Sequence, residues 1–482
     1  MELPSAISGV VPLVVLAAAL IASLLRLCGN SASRRPAAQW PPGPPAWPVI
    51  GHLHLLGDLP HQSLWKLSQS YGPLMGLRLG GVCTIVASTA EMAKQILHTH
   101  DLAFANHPRK AASVHMLLDA DMVSAPYGSS TLRRMRQLCN LELLNVKLVA
   151  ALRHVREEEV RNLARAVLEA GRRGEEKVEL RPRLRATTND IICRMMMGKK
   201  IEDVSSKSGK GQLELLNLVE DVHYLMGVFY VGDFIPWLSW LDPNRYLKRM
   251  KAGGRQAQIL LQEIIDKRRR QKRNADEEDF LDILLATNAE HTMSDDNVIG
   301  LILDMFTAGS HTGATAAEWV LADLLNNPTK MHKAQDEIEN VVGKSSFVKE
   351  EDLKSLPYLR MVVKESMRLH PVGPLLLPRE ASQECQIKGY KIPAKTCAFI
   401  NVWAIGRDPS TWENPLQFWP ERFDRKEVDF RGFTWTMDIP SNVKILGSSK
   451  QVVDMSEAGG LVLDMAIPLC PFATPRLPLN LY

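Results

Sequence analysis

The stretch from Asp295 to Asn327 constrains the fold more than any other part of the chain. Ser294 stands where a helix N-cap is wanted, and Pro328 stands just past the end, so the whole stretch reads as one helix. About 33 residues at a rise of about 1.5 Å give a rod near 50 Å, long enough to cross a whole domain. The chain has the material to surround such a rod. Its 482 residues are 45% hydrophobic and 23% charged, which excludes a disordered, collagen-like or repeat-built chain. The middle of the rod, Ala308-Gly309-Ser310-His311-Thr312-Gly313-Ala314-Thr315, consists mostly of small and hydroxyl residues. These lower helix stability and leave room for a π-bulge or a kink. They suit two roles, the approach of a flat ligand to the backbone or the close packing of another helix. The pattern leaves both open.

The N-terminus carries a second strong signal. From Ala6 to Leu25 the chain runs twenty residues without a charge, interrupted only by Ser8, Gly9, Pro12 and Ser23. At about 1.5 Å per residue this run spans about 30 Å, the hydrocarbon thickness of a bilayer. Arg26, Arg34 and Arg35 follow it, so the positive-inside rule puts the body of the protein in the cytosol. A cleaved signal peptide is the competing reading. It wants a basic leader before a shorter apolar core, and here the only charged side chain before the run is Glu2. Residues 1–27 are therefore read as a single-pass membrane anchor and 28–50 as a basic, Pro-rich hinge. Pro41-Pro42-Gly43-Pro44-Pro45-Ala46-Trp47-Pro48 should be a stiff, extended spacer.

Residues 51–482 read as one large α-rich domain with small sheets. Leu74–Leu79 and Cys83–Ala87 look like strands joined at Gly80-Gly81. Leu143–Leu168, Gln212–Phe229 and Asn244–Lys267 are long amphipathic stretches. The basic run Lys267–Arg273 precedes an acidic one, and it is read as a solvated helix end rather than a nucleic-acid patch. A net charge of +4 agrees that no nucleic acid is bound. The seven cysteines (Cys28, Cys83, Cys139, Cys193, Cys385, Cys397 and Cys470) form no Cys-x-x-Cys pair, which argues against a disulfide framework and a structural zinc site. Neither Gly-x-Ser-x-Gly nor the phosphate-loop pattern occurs, which disfavours a serine hydrolase and a nucleotide-binding enzyme.

Two further groups of residues could carry structure or chemistry. Glu365 and Arg368 sit three residues apart in the helical stretch Tyr358–Leu369, hence on one face. Phe418-Trp419-Pro420-Glu421-Arg422-Phe423 places another arginine between aromatics, within reach of Glu365 if the loop folds back. A buried Glu365/Arg368/Arg422 network would be a structural lock, because buried charges demand partners.

In order along the chain, the Pro-rich hinge, Ala308-Gly309-x-x-Thr312, Glu365-x-x-Arg368 and Pro420-Glu421-Arg422-Phe423 resemble the membrane-anchored, plant-type cytochrome P-450 haem-thiolate monooxygenases. The wording at Tyr71-Gly72-Pro73-Leu74 and Leu375-Leu376-Leu377-Pro378-Arg379-Glu380 is similar to plant hydroxylases of phenolics. The resemblance implies the haem-thiolate monooxygenase fold, haem as cofactor, and an endoplasmic reticulum location. It also implies a small apolar substrate, phenolic, flavonoid or terpenoid, hydroxylated with O₂ and with electrons from NADPH through a separate flavoprotein reductase. The cofactor carries the hard chemistry and the protein holds and tunes it. By resemblance Ala308 and Gly309 would lie against the haem and Thr312 would help deliver protons. Arg136 and Arg379 would pair with the propionates, and Val372, Gly373 and Leu375 would line the substrate pocket.

The sequence also departs from the family pattern. The family carries a Phe-x-x-Gly-x-Arg-x-Cys-x-Gly type loop after its Pro-Glu-Arg-Phe element, and its cysteine ligates the iron. Here the only cysteine after Phe423 is Cys470, in a segment that resembles the family's closing strands. Residues 433–453, the 21 residues between Gly432 and Asp454, match nothing in the family and are too few for the loop and the helix behind it. The axial cysteine is thus expected to be absent and the fold incomplete near the C-terminus. This suggests a splice form, a gene-model error or a pseudogene-like product, with haem ligated by another residue as a further alternative. Before Thr312 the family usually has an acid, whereas this chain has His311, which either passes protons or is simply hydrogen-bonded across the groove. Leu132 holds the slot of the tryptophan that normally precedes the propionate arginine.

Overall fold

The computed structural model describes residues 40–172, 177–200, 211–270, 279–288, 293–424, 443–446, 453–458 and 460–475. They fall into two compact units. The first holds the described residues up to Pro108 with Val231–Leu241 and Leu377–Asn401; the second holds Arg109–Tyr230, Asp242–Leu376 and the described residues from Val402 onward. The apolar run 6–25 lies outside the described residues, and among those described no helix is long and apolar enough to cross a membrane.

The first unit is built on a four-stranded sheet. β1 (Leu74–Leu79) and β2 (Val82–Ala87) form the expected antiparallel hairpin, turning at Gly80-Gly81. β3 (Arg379–Glu380) pairs antiparallel with the last strand of this unit, which in turn runs parallel to β2. Between them β4 (Cys385–Ile387) and β5 (Tyr390–Ile392) make a separate hairpin, and the last strand is β6 (Cys397–Ile400). α1 (Pro60–Tyr71) begins on proline, whose fixed φ suits a first helical turn. The Pro-rich segment is not a free spacer over its described part. The amide of Gly76 in β1 donates to the Pro42 carbonyl at 2.8 Å. The buried His52 ring accepts from the Arg78 amide at 2.7 Å and lies 2.8 Å from the Pro44 carbonyl. Proline lacks an amide hydrogen, but its carbonyl is free to accept from a strand edge, and that docks the segment.

The second unit is helical. Its main helices are α2 (Ala111–Met116), α3 (Ser130–Leu138), α4 (Arg153–Arg172), α5 (Leu180–Met197), α6 (Gly211–Gly227), α7 (Tyr246–Arg270), α8 (Asp295–Asn326), α9 (Pro328–Val342) and α10 (Pro357–Leu369). α8 is the foreseen rod, one residue shorter. The Ser294 hydroxyl accepts from the Asn297 amide at 3.2 Å, and Asp295 and Asp296 complement the helix dipole. Its midsection stays α-helical, without the bulge or kink that the small residues permitted. Leu163 and Val167 of α4, Leu180 and Leu184 of α5, and Met465 and Leu469 bury the far half of the rod around Ala314, Ala317 and Trp319. α10 starts on Pro357, and Glu337 of α9 accepts the Tyr358 and Leu359 amides at 2.8 and 2.9 Å, which satisfies that helix end.

Two expectations change in this unit. The stretch Leu143–Leu168 is not one helix. Asn145 takes the Leu148 amide at 2.9 Å and donates to the Leu141 and Glu142 carbonyls at 3.0 and 2.7 Å, so it closes one helical segment and opens the next. The basic run is not wholly solvated either. Arg268 is half-buried, and it meets Asp279 at 2.6 Å, Asp282 at 2.8 Å and the Met197 carbonyl at 2.9 Å. Near the C-terminus, β7 (Val443–Leu446), β8 (Glu457–Ala458), β9 (Asp464–Met465) and β10 (Phe472–Pro475) form two small hairpins, β7 with β10 and β8 with β9. Of the junction 433–453, only 443–446 and Val453 are described; Val453 donates to the Asn326 side chain at 2.7 Å.

Helices α7 and α2 cross at two adjacent glycines with different tolerances. A Cβ at Gly254 would sit 1.7 Å from the His115 carbonyl oxygen, whereas one at Gly253 would meet only the flexible end of Met116 at 3.0 Å. Gly254→Ala is expected to cost about 1–3 kcal/mol despite alanine's better helix propensity. Gly253→Ala should be neutral or stabilising by up to about 1 kcal/mol. Thermal unfolding of the two variants checks this; equal effects would show that the crossing is looser than described.

Candidate functional site

The midsection of α8 is the candidate site. Its flanks, Val298–Leu303 and Ala314–Val320, are buried, whereas Ala308, His311, Thr312 and Gly313 remain partly accessible. An accessible stretch in the middle of a buried rod is a face at which a ligand could rest. Gly309 is partly accessible as well, and a Cβ there would meet Ile192 of α5 at 2.8 Å, so its missing side chain also lets α5 approach. The Thr312 hydroxyl donates back to the Ala308 carbonyl at 2.7 Å, which leaves its oxygen free to accept.

His311 is ringed by partners. Its Nε2 lies 2.7 Å from Arg185 of α5 and 3.1 Å from Asp464 of β9. Asp464 also accepts from Thr315 at 2.6 Å. Burial alone would raise the Asp464 carboxyl; the hydrogen bonds from His311 and Thr315 and the charge of Arg185 outweigh it and hold the group at about 2. The His223 ring of α6 lies tilted against His311, with 4.7 Å between ring centroids. Burial and the neighbouring His311 push His223 down to about 4, even though the Val219 and Thr307 carbonyls favour its proton. Arg185, His223 and Asp464 were not singled out from the sequence, because nothing local marks residues that meet only in the fold.

The other foreseen residues are divided between the two units. The Val372 carbonyl accepts from the Leu463 amide at 2.8 Å; Val372, Gly373 and Leu375 are half-buried, and a Cβ at Gly373 would meet nothing within 4 Å. Trp319 donates to the Leu463 carbonyl at 2.7 Å, so one residue of the C-terminal segment ties α8 to the segment after α10. Arg136 is exposed on α3. Arg379 lies half-buried on β3 of the first unit.

Glu365, Arg368 and Arg422 meet as a network in the buried interior. Arg368 grips Glu365 with two parallel hydrogen bonds of 2.8 and 2.9 Å. Arg422 and the Trp419 amide donate to the same carboxylate at 3.0 and 2.7 Å. Arg368 also donates to the Gly406 and Pro415 carbonyls, and Arg422 to the Glu413 carbonyl at 2.6 Å. Tryptophan faces flank both guanidiniums, Trp412 at 5.2 Å from Arg368 and Trp419 at 5.2 Å from Arg422.

Haem is the group that the family resemblance implies, and the described residues fit it only in part. The accessible face of α8 suits a flat ring, and Arg134 on α3 has a buried Nε without a partner among the described residues, a donor that suits an anionic group. A thiolate ligand is a different matter. It needs a cation, a helix N-terminus or a metal to hold the sulfur ionised. Burial and Glu179 push the Cys470 thiol up instead; burial and Asp304 push Cys139 up to about 11; burial and Glu384 push Cys385 up. Among the described residues no group of three or more His, Cys, Asp or Glu is set to hold a metal ion. Among the described residues the α8 face fits a flat ring, and the surroundings of these three thiols favour the protonated form.

Glu365→Gln leaves two buried guanidiniums against a neutral amide. It should destabilise the protein by about 3–5 kcal/mol, the usual result of removing one partner from a buried ion pair. Chemical denaturation checks this, and a loss below about 1 kcal/mol, the range of exposed pairs, would contradict the lock.

Comparison with known proteins agrees with this geometry. The family model for cytochrome P450 matches residues 41–435. Flavonoid 3'-monooxygenase of Petunia hybrida is 36% identical, over 92% of this chain and 93% of its own. Cytochrome P450 71A1 of Persea americana is 38% identical, over 87% and 90%. Norfluorocurarine oxidase of a Strychnos species is 40% identical, over 82% and 79%. The chain belongs to the cytochrome P450 family and is of its monooxygenase type, similar to plant hydroxylases of phenolics and flavonoids.

Proposed function

We propose that this chain carries the scaffold of a haem-dependent monooxygenase that hydroxylates a small apolar secondary metabolite, phenolic, flavonoid or terpenoid. Oxygen would come from O₂ and electrons from NADPH through a flavoprotein reductase. Residues 1–27 would anchor it in the endoplasmic reticulum membrane, 28–50 would link anchor to body, and 51–482 would face the cytosol. The observation that carries this reading is the accessible midsection of α8 between buried flanks, with Thr312 on it and Val372 joined to the same C-terminal segment as Trp319. The flavonoid monooxygenases among the relatives support the substrate class. On this reading Ala308 and Thr312 form the ligand wall, His311 passes protons toward Thr312, and Val372, Gly373 and Leu375 set the pocket. Gly309 acts through the helix contact, and Arg136 and Arg379 are the propionate partners. Haem would supply oxygen activation.

A second reading concerns the chain as written, and one observation favours it. The family match ends at residue 435, inside the junction 433–453, and the only cysteine beyond Phe423 is Cys470. On this reading the chain is an inactive form that lacks the haem loop and the helix behind it. The carbon monoxide difference spectrum of the reduced protein separates the two. This chain is expected to give no red-shifted, thiolate-type Soret band. A graft of the corresponding Petunia segment in place of 433–453 is expected to give one. A thiolate band from the chain itself would overturn the second reading; a folded graft without one would overturn the first.

A further inference from the structure

His311 is placed by its neighbours as much as by its own helix. The charged and titratable groups around the ring are Arg185 of α5, Asp464 of β9 and His223 of α6, with Glu220 of α6 behind Arg185 at 3.5 Å. Arg185 and Asp464 also pair with each other at 3.1 Å, and Thr315 holds the second oxygen of Asp464 at 2.6 Å. Four elements therefore converge on one imidazole.

The geometry at Nε2 is unusual. A guanidinium can only donate and a carboxylate can only accept. The same nitrogen faces one of each, at 2.7 and 3.1 Å. With a proton on it, Nε2 donates to Asp464. Without one, it accepts from Arg185. Both states find a partner without the ring turning, whereas a histidine that faces only one kind of partner is satisfied in only one state. Asp464, held at about 2, stays charged through the range in which an imidazole changes state.

We propose that Arg185 and Asp464 are positioning residues that hold His311 Nε2 ready to keep or surrender a proton. The acid that the family pattern puts on the rod itself is supplied here across the groove from β9. The proposal rests on the reading of His311 as the residue that passes protons toward Thr312, and its test needs neither haem nor turnover.

The test is carbethoxylation of the full chain in detergent micelles with diethyl pyrocarbonate, read at His311 by peptide mass spectrometry between about pH 5 and pH 8. Only the neutral imidazole reacts, so the pH of half-maximal rate reports which state the surroundings favour. Asp464→Asn removes the acceptor and should move that pH down by about one unit. Arg185→Gln removes the competing cation and should move it up by a similar amount. Asp464→Glu should restore most of the original profile. Opposite shifts are the signature, because mere loosening of the fold raises the rate in both variants without moving the two profiles apart. Shifts in the same direction, or none, would overturn the proposal. Where one neutral variant fails to fold, the other carries the comparison, and a profile that does not move in its stated direction counts against the proposal. The carbon monoxide spectrum can fail independently: a chain without a thiolate band that still gives opposite shifts keeps the Nε2 arrangement and loses only its service to oxygenation.

Discussion

The structure depends on how one long helix is buried. A rod of 32 residues must lose its apolar surface to neighbours at both ends and still leave a working face in the middle. Side-chain size around the circumference achieves this. Gly309 lets α5 approach on one side, while Ala308, Thr312 and Gly313 stay low on the accessible side. Farther along, Thr315 and Trp319 bond to Asp464 and Leu463, so the C-terminal segment is pinned to the rod through polar atoms rather than by apolar contact alone. Removal of large side chains from the middle of a helix costs propensity; tertiary contacts at its ends offset that loss.

Beside the rod, the buried charge of Glu365 is fully answered. Glu365 carries two guanidiniums and an amide hydrogen on its two oxygens, and both arginines spend their remaining donors on loop carbonyls. The loop from Gly406 to Arg422 thereby takes its shape from α10. Arg407 lies close by; burial lowers it to about 10, Arg368 acts in the same direction, and Glu457 opposes both. Beside this region the pairing is less complete. Among the described residues Asp323 Oδ2, His370 Nδ1 and Ser366 Oγ are buried without partners, and the His370 ring lies flat on Trp319 at 3.9 Å. Buried polar atoms are rarely left so.

Local chemistry was legible in the sequence and long-range pairing was not. Ser294 and Pro328 marked both ends of α8 to within one residue, because caps and proline act on the turn they occupy. Gly80-Gly81 marked the hairpin for the same reason. Glu365 and Arg368 were readable as a pair because three residues of helix put them on one face; Arg422 joined them because it stands between aromatics in a Pro-bounded loop that can fold back. By contrast, Asp464 meets His311 across 153 residues of chain, and no periodicity announces that. Asn145 breaks a stretch whose apolar spacing looks continuous, since one capping side chain outweighs a pattern. The Pro-rich segment was read by its stiffness alone, and its carbonyls proved to matter more. The direction in which Gly309 faces was likewise invisible until a second helix stood beside it.

The proposal to be tested is that the face for a flat iron-bearing ring is retained while the sulfur that would ligate the metal is lost. X-ray absorption at the iron edge of the full chain, purified after exposure to hemin, addresses this most directly, because it counts the atoms bound to iron regardless of activity. The account predicts either no retained iron or a first coordination shell of nitrogen and oxygen only. A sulfur atom in that shell would contradict it.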